Sequence, residues 1–271
     1  MENPKRLQGL KGRKMAMIYE PRGRAREYSP LALNIYNRCD HNCRYCYVPL
    51  TRRGRTNGLD EVRPRQYILE ILRREARRHS FGSQVLLCFS GDPYCIADEK
   101  YRTTREVLKI LLEDNVTVAI LTKGGKRCLR DIDLFRRFRT IKIGATLTFT
   151  REKDSLYWER KATLPEERFK TLERLKEEGI KTWVSLEPVI DPEQTLSIID
   201  RTYKFIDQYK VGKLNHYLSE TDWKDFGLRA IDKLNKYGKE FYIKSDLAQY
   251  IPAGRMTKEQ RDMDYFALRG K

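Results

Sequence analysis

Three cysteines fall within eight residues, in the order Cys39-Asp40-His41-Asn42-Cys43-Arg44-Tyr45-Cys46, directly after the apolar run Leu31 to Tyr36. Thiolates are the ligands that soft metal centres and iron–sulfur clusters select, and three on one short loop can converge on a single cluster. Ordinary ferredoxin-type clusters use four cysteines, and a fourth is missing from this loop. Three thiols therefore imply one iron left open to an outside ligand. A Cys3His zinc knuckle through His41 is the competing chemistry, in which the chain would be a non-catalytic nucleic-acid-binding module. His41, however, lies between the first two cysteines rather than at an outer ligand position. No leader with a charged start, an apolar core and a small-residue cleavage site opens the chain, so the expected compartment is a reducing cytoplasm without structural disulfides. Cys88, Cys95 and Cys128 are scattered, as buried free thiols usually are.

The C-x3-C-x2-C spacing followed by Tyr47 resembles the signature of the radical S-adenosylmethionine enzymes. Further segments narrow the likeness: Asn34-Ile35-Tyr36-Asn37-Arg38-Cys39, Asp92-Pro93-Tyr94, Thr122-Lys123-Gly124 with Arg130-Asp131, and Arg168 to Gly179. Together they resemble the spore photoproduct lyase-like branch, also called DNA repair photolyase-like, across residues 30–215. The resemblance implies a [4Fe–4S] cluster on Cys39, Cys43 and Cys46, with S-adenosylmethionine chelating the open iron. One electron, from a flavodoxin- or ferredoxin-type donor, then splits the sulfonium to a 5′-deoxyadenosyl radical, so the difficult chemistry belongs to the cofactor.

The same resemblance distributes cofactor contacts. Ser90-Gly91-Asp92-Pro93 stands where the family more often has Gly-Gly-Glu to receive the methionine amino group, with Asp92 or Ser90 as acceptor. Lys123 would balance the methionine carboxylate, Thr148 would reach the ribose or carboxylate, and Tyr45 occupies the position that contacts adenine. Glu187, inward at a strand end, joins this cofactor-binding set. In the branch's lyase an active-site cysteine returns a hydrogen atom. Cys88 is the candidate here, and Cys95, beyond Tyr94, is its rival. The departures are the Ser-Gly-Asp-Pro motif and the region after Asn215, which matches no characterised enzyme.

The elements that must position these residues read as alternating strands and helices. Expected strands are 32–37, 84–90, 116–122, 141–149, 181–187, 210–214 and 240–244, with helices near 64–79, 101–114, 131–138, 165–178, 192–207 and 222–237. The helix from Pro165 is well marked, with Phe169, Leu172 and Leu175 on one face and Gly179 closing it. Repeated β–α alternation implies parallel strands with right-handed crossovers. The fold class is α/β: a partial (β/α)6-type TIM barrel with outer helices. Its expected organisation is a basic N-terminal extension (1–30), a radical SAM core (31–215) and a C-terminal extension (216–271) that completes or caps the barrel.

Side-chain parity assigns faces. In Ile141 to Phe149 the apolar set Ile141, Ile143, Ala145, Leu147 and Phe149 suits the helical shell, leaving Lys142, Gly144, Thr146 and Thr148 inward. Val118 and Ile120 face helices, with Ala119, Leu121 and Lys123 inward. Val184 and Leu186 face outward, Ser185 and Glu187 inward. Val85, Leu87 and Phe89 share one side, and Leu86, Cys88 and Ser90 the other. The cysteine loop follows the first of these strands, at the C-terminal rim where barrels keep their chemistry.

Charge supplies the substrate expectation. The formal charge is +17, and residues 1–79 hold 19 Lys/Arg against 8 Asp/Glu, a net of +11. Such a concentration favours a polyanionic partner. The expected reaction is hydrogen abstraction from a nucleobase or modified nucleobase in nucleic acid, DNA above all, in repair or modification. Arg52, Arg53, Arg55, Arg63 and Arg65 would meet phosphates beside the mouth, while Tyr47, Tyr94 and Trp158 would stack on an extruded base. Arg73, Arg74, Arg77 and Arg78 read equally as the wet side of a helix. The alternative enzyme modifies a protein, peptide or small molecule. No apolar run is long enough to span a membrane.

Overall fold

The computed structural model describes residues 16–51 and 61–268. Eight strands lie in the sheet in chain order: β1 (Ile18–Tyr19), β2 (Leu31–Leu33), β3 (Val85–Leu87), β4 (Val118–Thr122), β5 (Ile141–Thr146), β6 (Lys181–Leu186), β7 (Gln208–Val211) and β8 (Glu240–Ile243). β1 pairs antiparallel with β2 and all later pairings are parallel. β1 and β8 are the sheet's edges, so the barrel stays open between them. The helices are α1 (Val48–Thr51), α2 (Ile68–Glu75), α3 (Ala97–Tyr101), α4 (Thr103–Glu113), α5 (Ile132–Phe135), α6 (Glu152–Trp158), α7 (Pro165–Glu177), α8 (Pro192–Thr202), α9 (Trp223–Lys236), α10 (Ser245–Ala248) and α11 (Met263–Phe266). Among the described residues no helix is long and apolar enough to cross a membrane.

β-branched residues dominate the outward face of the central strands, as a pleated and buried surface favours. Val118, Ile120, Ile141, Ile143 and Val184 pack into one core beneath the helices. α7 begins at Pro165, buries Phe169, Leu172 and Leu175, and ends before Gly179, whose φ of +74° suits a helix C-terminus. Asp191 and Asp222 cap α8 and α9 by accepting backbone N–H bonds from Gln194 and from Lys224 and Asp225.

Several strands stop short of their expected ends. β2 ends at Leu33 and β3 at Leu87 because the next N–H donors have other partners: those of Phe89 and Ser90 both bond to Asn34 Oδ1, at 2.8 Å each. Parity is lost at that point. Phe89 turns inward with Leu86, Ala119, Leu121 and Trp183, while Cys88 packs among the outer core residues, the reverse of the alternation read from sequence. On β4, β5 and β6 the alternation holds.

The lower barrel is filled. Trp183 lies over Gly144 and donates from Nε1 to the Ile120 carbonyl at 3.0 Å. Beside it Lys142 Nζ donates to Gln208 Oε1 at 2.9 Å and to the Phe266 carbonyl at 3.2 Å. Lys210 sits among the rings of Tyr28, Tyr242 and Phe266, 4.6 to 5.2 Å from their centroids, and bonds to the Glu27 carbonyl. The open seam is thus closed by residues from both ends of the chain. The described part of the N-terminal extension supplies β1 and the inward Tyr28.

Two predictions follow from this floor. A Cβ at residue 144 would lie 2.5 Å from both Nε1 and the backbone oxygen of Trp183, so Gly144→Ala should cost about 1–3 kcal/mol, read as a lowered denaturant midpoint. Burial pushes Lys142 down to about 7, against about 10.4 in an unfolded chain, so between these values the unfolded state binds the extra proton. The corresponding stability is present at high pH and is lost as pH falls through 7. Lys142→Met should therefore flatten the rise of the unfolding midpoint between about pH 7 and 9.5.

Candidate active site

The rim above this floor is hollow. A cavity of about 770 Å³ is lined by Cys39, Cys43 and Cys46 together with Arg22, Tyr28, Glu187, Lys213, Asn215 and Lys244. The cysteine loop leaves β2 through Asn34, whose amide also donates to the Tyr19 hydroxyl at 2.7 Å, and through Tyr36, whose hydroxyl donates to Asp98. Asp40 accepts from the backbone N–H groups of Ile96 and Ala97 at the start of α3. On its other flank the loop is stitched to the end of α6: Cys43 bridges Glu159, Arg44 N–H donates to the Trp158 carbonyl at 2.8 Å, and Lys161 N–H donates to the His41 carbonyl at 2.9 Å. The loop thus has backbone partners on both flanks.

Under it lies a buried charge network. Glu159 and Arg168 are 2.7 Å apart, Arg168 also donates to the Thr146 carbonyl at 3.0 Å, and the Tyr45 hydroxyl donates to Glu159. Lys123 stands 5.4 Å over the Tyr45 ring. Burial works against the Lys123 charge, but Cys43 and Glu159 outweigh it and leave its pKa raised. Burial likewise opposes the Glu159 charge, and Arg168 and Lys123 outweigh that to lower it. Sequence reasoning missed this pair, because nothing in the local pattern marks Glu159 as buried.

Three partly buried thiols, free of disulfides, share one cavity wall, a donor set suited to a cluster rather than to one ion. Burial raises the pKa of Cys39 and takes Cys43 to about 11, so each gives up its proton when metal binds. Among the described residues no three His, Cys, Asp or Glu side chains converge closely enough for a single ion. His41 is already engaged, with Nδ1 3.4 Å from Asp92 and Nε2 3.1 Å from Arg127. The zinc-knuckle geometry is therefore not formed, and the residues present fit the larger group.

The other singled-out residues divide. Tyr45, Ser90, Gly91, Asp92, Lys123, Glu187 and Cys88 all line the cavity. Asp92 does so with its carboxylate largely committed: Oδ1 accepts from Tyr94 N–H and Thr122 Oγ1, and Oδ2 from Lys123 N–H at 2.7 Å. Glu187 accepts from the Tyr28 hydroxyl and Lys244 Nζ, each at 2.5 Å, and from Asn215 at 3.1 Å. Thr148 does not line the cavity. It is fully buried beyond the end of β5, with Oγ1 lacking a hydrogen-bond partner. Cys95 and Tyr94 are also fully buried in the outer core, with the Tyr94 hydroxyl on Asp131 at 3.0 Å. Neither lines the cavity, unlike Cys88 and Tyr47.

Of the arginines expected at the mouth, Arg52, Arg53 and Arg55 lie outside the described residues. Arg63 pairs with Glu61 at 2.6 Å and Arg65 is exposed, and neither lines the cavity. Arg73, Arg74, Arg77 and Arg78 are exposed on the face opposite Ile68 and Leu72, the wet-side arrangement. Sequence reasoning also passed over Tyr28 and Lys213, which line the cavity.

A sequence model of the radical SAM superfamily matches residues 33–206. An uncharacterized protein of Methanocaldococcus jannaschii is 27% identical over 199 residues, 69% of this chain and 74% of that one. Another, from Acidianus two-tailed virus, is 27% identical over 60% of this chain and 57% of its own length. In structure, spore photoproduct lyase complexed with dinucleoside spore photoproduct aligns with a TM-score of 0.67 at 10% identity, over 89% of this chain and 81% of that one. Streptococcus suis SuiB bound to S-adenosylmethionine aligns with a TM-score of 0.60 at 16% identity, over 81% of this chain. The present chain spans about half the length of SuiB, at 52%. At such identities the structural likeness speaks for the fold. The sequence match, spanning well over half of the chain and carrying the three-cysteine loop, shows that the protein belongs to the radical SAM superfamily, enzymes that use a [4Fe–4S] cluster and S-adenosylmethionine.

Proposed function

We propose that this radical SAM enzyme removes a hydrogen atom from a nucleobase or modified nucleobase held in a nucleic acid, in repair or modification. The observation that carries the substrate reading is the lining of the cavity, which brings the three thiols together with the basic side chains Arg22 and Lys213. Bound there, the cluster and S-adenosylmethionine supply a 5′-deoxyadenosyl radical. Cys39, Cys43 and Cys46 hold the cluster. Lys123 faces the methionine carboxylate, Ser90 and the remaining acceptor capacity of Asp92 serve its ammonium, and Tyr45 and Glu187 shape the wall around the rest.

The part of the cavity lined by Arg22 and Lys213 would hold the substrate, and neither has a carboxylate within ion-pair distance among the described residues. Unpaired cations facing a cavity attract phosphate, and neutralised phosphates release counterions. Tyr47, 40% exposed and lining the same cavity beside Cys46, offers a face for an extruded base. Spore photoproduct lyase has been solved with a dinucleoside photoproduct, which supports this substrate class. SuiB has been solved with its precursor peptide SuiA, and the same cations would accept an acidic peptide, which is the second reading.

Cys88 is the proposed hydrogen-atom donor. The residue borders the cavity although its side chain packs in the outer core, and burial pushes its pKa up to about 12, so it keeps the S–H bond at neutral pH. Cys88→Ala should leave 5′-deoxyadenosine formation intact while side products rise at the expense of the normal product, as read by nucleoside chromatography. A clean product from that variant would remove Cys88 from the reaction. For the substrate, oligonucleotide affinity measured against salt should give a linear log–log fall, and Arg22→Gln or Lys213→Gln should each reduce the slope by about 1. No oligonucleotide binding even at low salt, with acidic peptide bound instead, would replace this substrate class by the second reading.

A further inference from the structure

The outer side of the cysteine loop carries an apolar surface that the substrate cavity does not use. Leu156 and Tyr157 at the end of α6 are 52% and 55% exposed, Tyr217 is 44% exposed, and Leu218 is fully exposed. Trp158 joins them, with its ring 5.5 Å from Tyr157 and 5.6 Å from Tyr217, both edge-on. Large apolar side chains gathered on a surface mark contact sites more often than chance exposure does. This patch is also fastened to the loop that bears the cluster ligands. The Arg44 guanidinium lies 4.0 Å over the Tyr157 ring and donates to the Tyr157 carbonyl at 2.7 Å, and the Tyr217 hydroxyl donates to the Arg44 carbonyl at 2.7 Å. Inward, Trp158 is 6.4 Å from the ring of Tyr45, which adjoins Cys46.

The charges around the patch are unequal. Arg44, Lys153, Arg160 and Lys161 are exposed and make no ion pair among the described residues, and they outnumber the exposed Glu152, Glu220 and Asp222. Such a rim attracts an acidic partner and raises its on-rate.

We propose that this patch is the docking surface for an acidic one-electron carrier protein, holding a flavin or an iron–sulfur centre, that reduces the cluster. The inference rests on the superfamily's cluster being held by this loop. The carrier's cofactor loses one electron, the cluster gains it, and no bond or proton is exchanged between the two proteins. Arg44 sits at the centre of the contact, and Tyr157, Trp158 and Tyr45 provide successive ring contacts from the surface to the thiol loop.

The test uses the anaerobic holoenzyme with flavodoxin hydroquinone as probe and dithionite as a small reductant that needs no docking surface. Cluster reduction is followed by bleaching of visible absorbance and by electron paramagnetic resonance. Leu156→Glu/Leu218→Glu places like charge on the patch without touching the cavity. Its flavodoxin-driven reduction should slow at least about tenfold, with the dithionite rate unchanged. Salt should slow the flavodoxin reaction of the unaltered enzyme. An unchanged flavodoxin rate in the variant overturns the proposal, and so does an equal loss with dithionite, which would assign these residues to the integrity of the loop. A variant that keeps the flavodoxin rate but loses oligonucleotide affinity would give the patch to substrate instead. Failure of the unaltered protein to bind iron and sulfide would strike the cofactor assignment itself, a separate outcome.

Discussion

Glu159 and Arg168 form the contact on which the upper half of this molecule depends. The pair is almost wholly buried, and it joins three parts: α7 through Arg168, β5 through the Thr146 carbonyl, and the cysteine loop through Tyr45 and the Cys43–Glu159 bridge. Isolated charges at such depth carry a large desolvation cost, and pairing alone often only offsets it. Here the bonds to the Thr146 carbonyl and from the Tyr45 hydroxyl offset part of that cost and fix where the loop sits relative to the barrel, while Arg168 Nε and Nη2 make no hydrogen bond. A cluster tolerates little movement of its ligands, so a rigid but internally charged base is a reasonable use of buried ions. Loss of either partner would leave the other uncompensated, a change that typically destabilises a protein by about 3–5 kcal/mol.

The barrel divides its interior by chemistry. Low in the barrel, Trp183 occupies the space over Gly144, and aromatic rings surround the lysines that parity directs inward. High in the barrel, side chains become small and polar and the strands give way to loops. Lys244 and Glu187 mark the boundary, 2.5 Å apart at the cavity wall with Tyr28 against them. Arg22 and Lys213 line the cavity without an acid partner, so positive potential is directed toward incoming anions.

Much of this was legible in the sequence, for identifiable reasons. The thiol loop could be read because metal chemistry restricts residue type and spacing together. β5 and β6 could be read because long strands with two dissimilar faces leave a clear period of two. Legibility ended where side chains took over the backbone's partners. Asn34 captures the N–H groups of Phe89 and Ser90, which reversed the reading of Cys88, and no periodicity encodes such a bond. Tyr94 and Cys95 lie beside a conspicuous motif yet face the core, because Asp92 folds that loop back on itself. Glu159, Tyr28 and Lys244 are remote from the motif in sequence, and only the closed-up tertiary arrangement brings them near it.

The seam of the open barrel has a consequence for how the chain matures. Lys210 needs the Glu27 carbonyl and the ring of Phe266, and Arg26 meets Asp264 across 238 positions of sequence. During synthesis the earlier strands can assemble in order, each beside its predecessor, yet the inner lysines acquire their full surroundings only when the final helical turn emerges. Ribosome-bound intermediates would therefore present a wet, incompletely sealed interior until α11 has emerged and docked.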